Sequence, residues 1–152
     1  MTTELIHLTQ WARQQPQAQY NALMGLLSHP EGLMDSFEAQ PDNKAAGIDK
    51  VSKAEYAQGV EERIKALSAG LRSLNYRPQP VRRVYIPKGN GKQRPLGTPC
   101  FEDRIVQHRL SGILQAIWEP EFRNCSYGFR PYRNAHQALA RLGEIVTNHN
   151  TQ

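Results

Sequence analysis

Apolar residues recur at the 3.6-residue period of an α-helix along most of the chain. The first 40 residues predict three helices: one near the amino terminus, a second that begins at Pro16, and a third over residues 32–39. A polar loop follows, and at its end Ser52 and Glu55 form the sequence pattern of a capping box. The regular apolar stripe after it predicts one continuous helix over residues 53–74.

The apolar period changes between residues 81 and 97. Residues 81–87 are rich in β-branched and aromatic side chains, which favours a strand, and a second short strand is predicted over residues 93–97. Asn90-Gly91 lies between them and is a strong signal for a tight hairpin, because both residues tolerate positive φ. The pattern therefore predicts an antiparallel β-hairpin inserted between helices.

Helical spacing returns after the hairpin. A long helix is predicted over residues 102–118, and Asn134 is predicted to cap a final helix. We expect part of the apolar face of both helices to stay exposed on this chain and to promote self-association. The predicted fold class is α+β, mostly helical, with one small antiparallel β-hairpin.

Positive charge is concentrated in the second half of the chain. The 152 residues hold 19 Lys and Arg against 14 Asp and Glu, for a net charge of +5. Residues 72–133 hold twelve basic and four acidic side chains, and ten of the twelve are arginine, whose planar guanidinium matches phosphate. This segment favours a phosphate-bearing partner, most simply nucleic acid. On charge alone, a solvated basic surface explains it equally well.

The composition excludes several other classes of protein. No run approaches the roughly 18–20 apolar residues of a membrane span, and the amino terminus lacks the apolar stretch of a signal peptide. Cys100 and Cys125 are too few for a disulfide scaffold and lack the spacing of metal ligands. We therefore expect a cytoplasmic protein with no membrane contact and no cofactor in this chain.

The hairpin tip carries side chains suited to binding an anion. Lys88, Lys92 and Arg94 surround glycines there, so the tip can close over a triphosphate and neutralise its charge. The alternative is a surface hairpin whose lysines keep an exposed edge soluble. The spacing departs from that of a Walker P-loop, because Ile86 stands where that loop needs glycine.

A second binding segment is predicted over residues 126–133, which combine aromatic residues with two arginines. Tyr127, Arg130 and Arg133 suit contact with bases and phosphates, whereas we expect Phe129 to pack in the core. The acidic residues at positions 102 and 103 are explained by the helix dipole. The residues thus offer binding groups and no catalytic constellation.

Five motifs stand in order along the chain and together resemble the amino-terminal fingers of group II intron-encoded reverse transcriptases (maturases). The resemblance extends over residues 43–142, and five motifs in this order are highly specific. The sequence departs from the family at Lys50 and Tyr132, where glycine is common, and at Thr98, where isoleucine is common. The motifs occupy residues 47–49, 76–88, 91–99, 103–107 and 126–131.

The resemblance implies roles for individual residues. Lys88 and Arg94 match the fingers residues that grip the triphosphate of the incoming nucleotide. A loop near the template end is matched by Gly47, Ile48 and Asp49. Contacts with template RNA or with the intron are implied for Arg82, Arg83, Lys92, Arg104, Tyr127, Arg130 and Arg133.

The resemblance also implies a domain plan and a set of partners. Residues 1–42 form an N-terminal helical extension, and residues 43–152 form the fingers region of a reverse transcriptase, truncated before the palm. The expected partners are RNA template or intron RNA, a DNA primer, dNTP and a downstream palm-containing chain. Mg²⁺ is expected for the complete enzyme, in which palm aspartates hold it, so we expect this chain not to polymerise DNA alone. The alternatives are a non-catalytic RNA-binding module of the maturase type and a structural remnant.

Overall fold

The computed structural model describes residues 3–15, 17–89 and 91–149. These residues form a mostly helical α+β fold with one two-stranded antiparallel sheet, which confirms the predicted class. The strands are β1 (Arg82–Pro87) and β2 (Gln93–Thr98). The helices are α1 (Thr3–Gln14), α2 (Leu23–Leu27), α3 (Pro30–Glu38), α4 (Lys53–Ala57), α5 (Val60–Arg72), α6 (Phe101–Trp118) and α7 (Ala135–His149), with a short 3-10 helix at Glu119–Glu121.

Two predicted helices differ from the observed ones. The predicted start of the second helix, Pro16, lies outside the described residues, and α2 is confined to Leu23–Leu27. The continuous helix over residues 53–74 was the wrong prediction, because the chain breaks between α4 and α5. Gln58 is extended there, and Gly59 has a φ of 73°, a left-handed conformation that glycine adopts without a steric penalty.

The predicted capping box is present at the start of α4. The Ser52 hydroxyl accepts a hydrogen bond from the Glu55 backbone N–H at 3.2 Å, and the Glu55 carboxylate accepts one from the Ser52 N–H at 2.7 Å. The bond from the Ser52 backbone is the main reason why the pKa of Glu55 lies below its ordinary value.

Helix α6 connects two apolar cores. The larger core contains Leu33 and Phe37 of α3, Tyr56 of α4, three residues of α5 and the first turns of α6. The smaller core packs Leu5 and Leu8 of α1 against the second half of α6. Helices α1 and α3 lie before residue 42, and they share their cores with α6, which lies after it. The domain division at residue 42 therefore stays a prediction.

A buried arginine ties α1 and α2 to α6. The Arg109 side chain is only 2% exposed, and its guanidinium donates hydrogen bonds to the Glu4 carboxylate at 2.8 Å and to the Leu26 carbonyl at 3.0 Å. A buried guanidinium needs such partners because its charge has been removed from water. One of the twelve basic residues of the central segment therefore stabilises the fold and is withdrawn from the surface.

The outward face of α6 is an exposed apolar strip, as predicted. Leu110, Leu114 and Trp118 are 40%, 41% and 56% exposed, and together with Phe122 and Phe129 they line an open groove of about 420 Å³. The prediction that Phe129 packs in the core was wrong, because its side chain is fully exposed and its backbone is left-handed, with a φ of 56°. No helix within the described residues is both long and apolar enough to cross a bilayer.

Candidate nucleic-acid interface

The predicted hairpin is confirmed, and its register is regular. The strands pair from Arg82 opposite Thr98 to Pro87 opposite Gln93. The Lys88 N–H donates to the Lys92 carbonyl at 2.7 Å and closes the tip. Gly91 has a φ of 75°, which glycine supplies at no steric penalty, whereas its predicted partner Asn90 lies outside the described residues.

Both faces of the hairpin are open, because every residue of β1 is exposed. Alternation along the strands places Arg82, Val84 and Ile86 on one face and Arg83 and Tyr85 on the other. Cross-strand pairing adds β2 residues to the Arg82 face, namely Arg94, Leu96 and Thr98. Each face therefore presents guanidinium groups beside apolar or aromatic side chains.

Four cations of the hairpin form no ion pair in the described part of the chain. None of Arg82, Arg83, Lys88 and Arg94 forms an ion pair with a described carboxylate. Charge that no protein carboxylate compensates attracts phosphate and releases counterions when it binds. The geometry makes the hairpin the candidate binding surface for a nucleic-acid backbone or a triphosphate.

The 47–49 loop lies against the end of β2. Gly47 is buried, and a Cβ added to it would stand 2.6 Å from the Cys100 Cα, so only glycine allows this approach. Ile48 is 54% exposed, and the Asp49 carboxylate accepts a hydrogen bond from the Val51 N–H at 3.3 Å. Lys50 has a φ of 60°, a left-handed conformation that favours glycine. Glycine is common at this position in the family that the sequence resembles.

A groove runs between the hairpin base and α6. Its volume is about 550 Å³, and it brings Lys44 of the 40–47 loop together with Leu96 and Thr98 of β2. Gln107, His108 and Ser111 of α6 form the opposite wall. The part of the polar loop that precedes Gly47 and the base of the hairpin therefore border one shared concavity.

Arg104, a predicted contact of nucleic acid, is 9% exposed and serves the protein interior. Its guanidinium donates to the carbonyl of Ala45 and, at 3.1 Å, to the carbonyl of Pro99. The neighbouring Asp103 accepts hydrogen bonds from the Tyr76 hydroxyl and from the Gln79 N–H. Asp103 and Tyr76 were not predicted as site residues, since an acid in the first turn of a helix is already explained by the helix dipole.

Burial raises the pKa of Tyr76, and the hydrogen bond to Asp103 raises it further, because the phenolate would stand beside a carboxylate. The pKa of Tyr56 is raised in the same way. Its pKa is raised by burial first and then by Glu102, whose carboxylate accepts the Tyr56 hydroxyl at 3.0 Å. Both acids at the start of α6 therefore hold a tyrosine in its protonated form.

The 126–133 segment is held together by the arginines predicted to contact nucleic acid. Arg130 pairs with Glu119 at 2.7 Å, donates to the carbonyls of Arg123 and Ser126, and is 7% exposed at its side chain. Arg133 lies 5.1 Å from the centre of the Tyr127 ring, measured from the guanidinium carbon. Tyr127, Arg130 and Arg133 were predicted to contact nucleic acid, and the contacts found for them are with residues of this segment and with residues close to it.

The exposed aromatic residues of this segment are Phe129 and Tyr132, neither of which was predicted as a site residue. Both side chains are almost completely exposed, and both backbones are left-handed, with φ values of 56° and 60°. At Tyr132 the sequence contained a signal for the left-handed backbone, because glycine is common at this position in the family that the sequence resembles. In the described part of the chain, no three His, Cys, Asp or Glu side chains come together as metal ligands.

Comparison with known proteins gives several relatives, although no family model matches the chain. The chain is 40% identical over 144 residues to Protein YkfC of Escherichia coli (strain K12), a match that covers 93% of this chain and 38% of that protein. It is 50% identical over 124 residues to the group II intron-encoded protein LtrA of Lactococcus lactis subsp. cremoris, which covers 81% of this chain and 21% of LtrA. Nuclear intron maturase 1 of Arabidopsis thaliana is 41% identical over 44 residues, 29% of this chain and 6% of that protein. The chain thus spans less than half the length of these relatives.

Proposed function

Because the chain belongs to the family of group II intron-encoded proteins, we propose that it is the fingers portion of a group II intron RNA-directed DNA polymerase. Its role is to bind RNA and nucleotide during reverse transcription, intron mobility and splicing. The observation that carries the proposal is the open β-hairpin, whose Arg82, Arg83, Lys88 and Arg94 have no acidic partner among the described residues.

The proposal divides the hairpin into two binding regions. Lys88 and Arg94 at the tip hold the triphosphate of a dNTP by charge neutralisation and hydrogen bonding, and neither acts as a base or a nucleophile. Arg82 and Arg83 near the stem contact the RNA backbone, one from each face of the hairpin. Gly47, Ile48 and Asp49 approach the template end from beside β2.

The proposal assigns binding and no catalytic step to this chain. Mg²⁺ would belong to the complete enzyme, where carboxylates of the palm would hold it near the primer end. The protein would act in the cytoplasm, where intron RNA and DNA primer are available. A non-catalytic RNA-binding module of the maturase type is the second candidate, and the Arabidopsis relative is named an intron maturase.

RNA binding is tested by fluorescence anisotropy with a labelled structured RNA at several salt concentrations. The slope of log affinity against log salt is negative, and we expect the double variant Arg82→Ala/Arg83→Ala to reduce its magnitude by about 1.4–1.8, because each phosphate contact contributes about 0.7–0.9. The matched control is Lys65→Ala/Arg72→Ala, which removes two exposed cations from α5. The proposal is contradicted if wild-type protein shows no salt-dependent binding or if both double variants behave alike.

Nucleotide binding is tested by titrating the wild-type chain with a fluorescent dNTP and competing with inorganic triphosphate. We expect Lys88→Ala/Arg94→Ala to lose dNTP binding while the α5 control retains it. Two results together would favour the maturase-type RNA-binding module over the polymerase fingers: the Arg82→Ala/Arg83→Ala variant loses RNA binding, and the wild-type chain binds no dNTP.

A further inference from the structure

The segment that leads into β1 is fixed by one buried carboxylate. Pro78 and Pro80 have no backbone N–H, so among residues 78–80 only Gln79 can donate from its backbone. That donor binds the Asp103 carboxylate at 3.1 Å, and the second oxygen of Asp103 accepts the Tyr76 hydroxyl. Asp103 itself is 4% exposed, and its two carboxylate oxygens face the entry to the hairpin.

The segment that leaves β2 is fixed by the next residue of α6. The Arg104 guanidinium donates to the carbonyl of Pro99, which directly follows the last residue of β2, and to the carbonyl of Ala45 in the neighbouring loop. Two consecutive residues in the first turn of α6 therefore hold the two ends of the hairpin. Asp103 holds the segment before β1 by accepting hydrogen bonds, and Arg104 holds the segment after β2 by donating them.

The hairpin depends on these ends for its orientation. All six residues of β1 are exposed, so β1 has no buried face that would orient it against the rest of the molecule. A two-stranded hairpin alone is marginally stable in water and can swing about its stem. Hydrogen bonds to buried charged groups are among the stronger polar contacts of a protein, and here they are located at the two points where a swing would begin.

We propose that Asp103 and Arg104 are positioning residues that set the direction of the basic hairpin relative to α6. They act through hydrogen bonds within the protein, and they hold the Arg82–Arg83 stem and the Lys88–Arg94 tip in one geometry before RNA or nucleotide binds. The inference rests on the proposed function only for what the hairpin binds. The orientation itself is a property of the chain alone, which allows the two to be tested separately.

The experiment measures the hairpin direction by pulsed electron paramagnetic resonance. Spin labels are attached through Gln93→Cys on β2 and Gln115→Cys on α6, both exposed positions, in a Cys125→Ser background. Cys100 is 1% exposed and stays unlabelled. We expect a narrow distance distribution in the parent and a distribution at least twice as wide in Asp103→Asn, which leaves one acceptor oxygen in place of two.

A second variant and a control make the result decisive. Tyr76→Phe removes one hydroxyl and no charge, so it tests the same link if Asp103→Asn does not fold. Val106→Ala truncates an α6 side chain of the larger core and removes none of the hydrogen bonds of Asp103 and Arg104, and at equal folded fraction it should keep the narrow distribution. An unchanged distribution in folded Asp103→Asn and Tyr76→Phe would overturn the positioning role.

RNA binding provides the second readout. We expect Asp103→Asn to weaken RNA binding about five-fold, and Val106→Ala to leave it unchanged at equal folded fraction. If the distance distribution widens while RNA affinity stays constant, the link between hairpin direction and binding is overturned. If wild-type protein binds no RNA, the proposed function fails, whereas a widened distribution still supports the anchoring of the hairpin.

Discussion

Gly47 provides a quantitative test of how the 47–49 loop packs on the hairpin base. A Cβ added to Gly47 would lie 2.6 Å from the Cys100 Cα and 2.8 Å from both the Cys100 nitrogen and the Pro99 oxygen. These are all backbone atoms, so no side-chain rotation can make room. Ordinary contact requires about 3.5 Å, so the loop must retreat by roughly 1 Å in Gly47→Ala.

The free energy of unfolding should fall by about 1–3 kcal/mol in this variant. Overpacking of this kind typically costs about 1–3 kcal/mol. Retreat of the loop also weakens the hydrogen bond from Arg104 to the Ala45 carbonyl, which adds about 1 kcal/mol. The lower entropy of alanine in the unfolded chain offsets about 0.5–1 kcal/mol of this loss.

Urea titration followed by circular dichroism measures the change in stability. Gly70→Ala is the matched control, because Gly70 lies inside α5 with open space around its Cα, and alanine there should stabilise the protein by about 0.5–1 kcal/mol. A Gly47→Ala variant as stable as the wild type would show that the loop does not rest on the Pro99–Cys100 backbone as described.

Three further changes have defined outcomes. Lys50→Gly should raise the free energy of unfolding by about 0.5–1 kcal/mol in urea titration, because Lys50 has a φ of 60°; a loss of stability would contradict this. Above pH 10 the stability should fall, by at most about 1.4 kcal/mol per pH unit for each tyrosine, because Tyr56 and Tyr76 have raised pKa values and the unfolded chain loses those protons first. Denaturation between pH 8 and 11 measures this slope, and Tyr76→Phe should make it shallower. Leu114→Glu should reduce self-association seen by light scattering, since Leu114 lies in the exposed apolar strip of α6; unchanged mass would assign association to another surface.

Elements with strong local signals were predictable from the sequence. The helix predicted over residues 102–118 agrees with α6 (Phe101–Trp118) to within one residue. It was predictable because a proline precedes it and its apolar period is regular. The hairpin was predictable because its tip contains Gly91, whose positive φ a tight turn requires. The break at Gly59 was not predicted, because the capping box at Ser52 and the apolar stripe that begins at Val60 were assigned to one helix, with Gly59 inside it.

The site contacts depend on residues far apart in sequence, and this limited their prediction. Arg130 could not be paired with Glu119 from spacing alone, and that pair helps to fix the backbone that turns Phe129 outward. Asp103 binds Tyr76 across 27 positions, and only the folded chain brings them together. The cationic residues of the hairpin were predictable as candidate phosphate contacts, because the side chains of an isolated two-stranded hairpin are exposed.

The claim that the β-hairpin is the RNA-binding surface is tested most directly by cross-linking. The full chain is bound to RNA that contains 4-thiouridine, irradiated, digested and analysed by mass spectrometry. We predict that the main cross-linked peptides contain residues 82–98, that Tyr85 is among the modified residues, and that added salt lowers their yield. Cross-links confined to α5 or α7, with none in residues 82–98, would contradict the account.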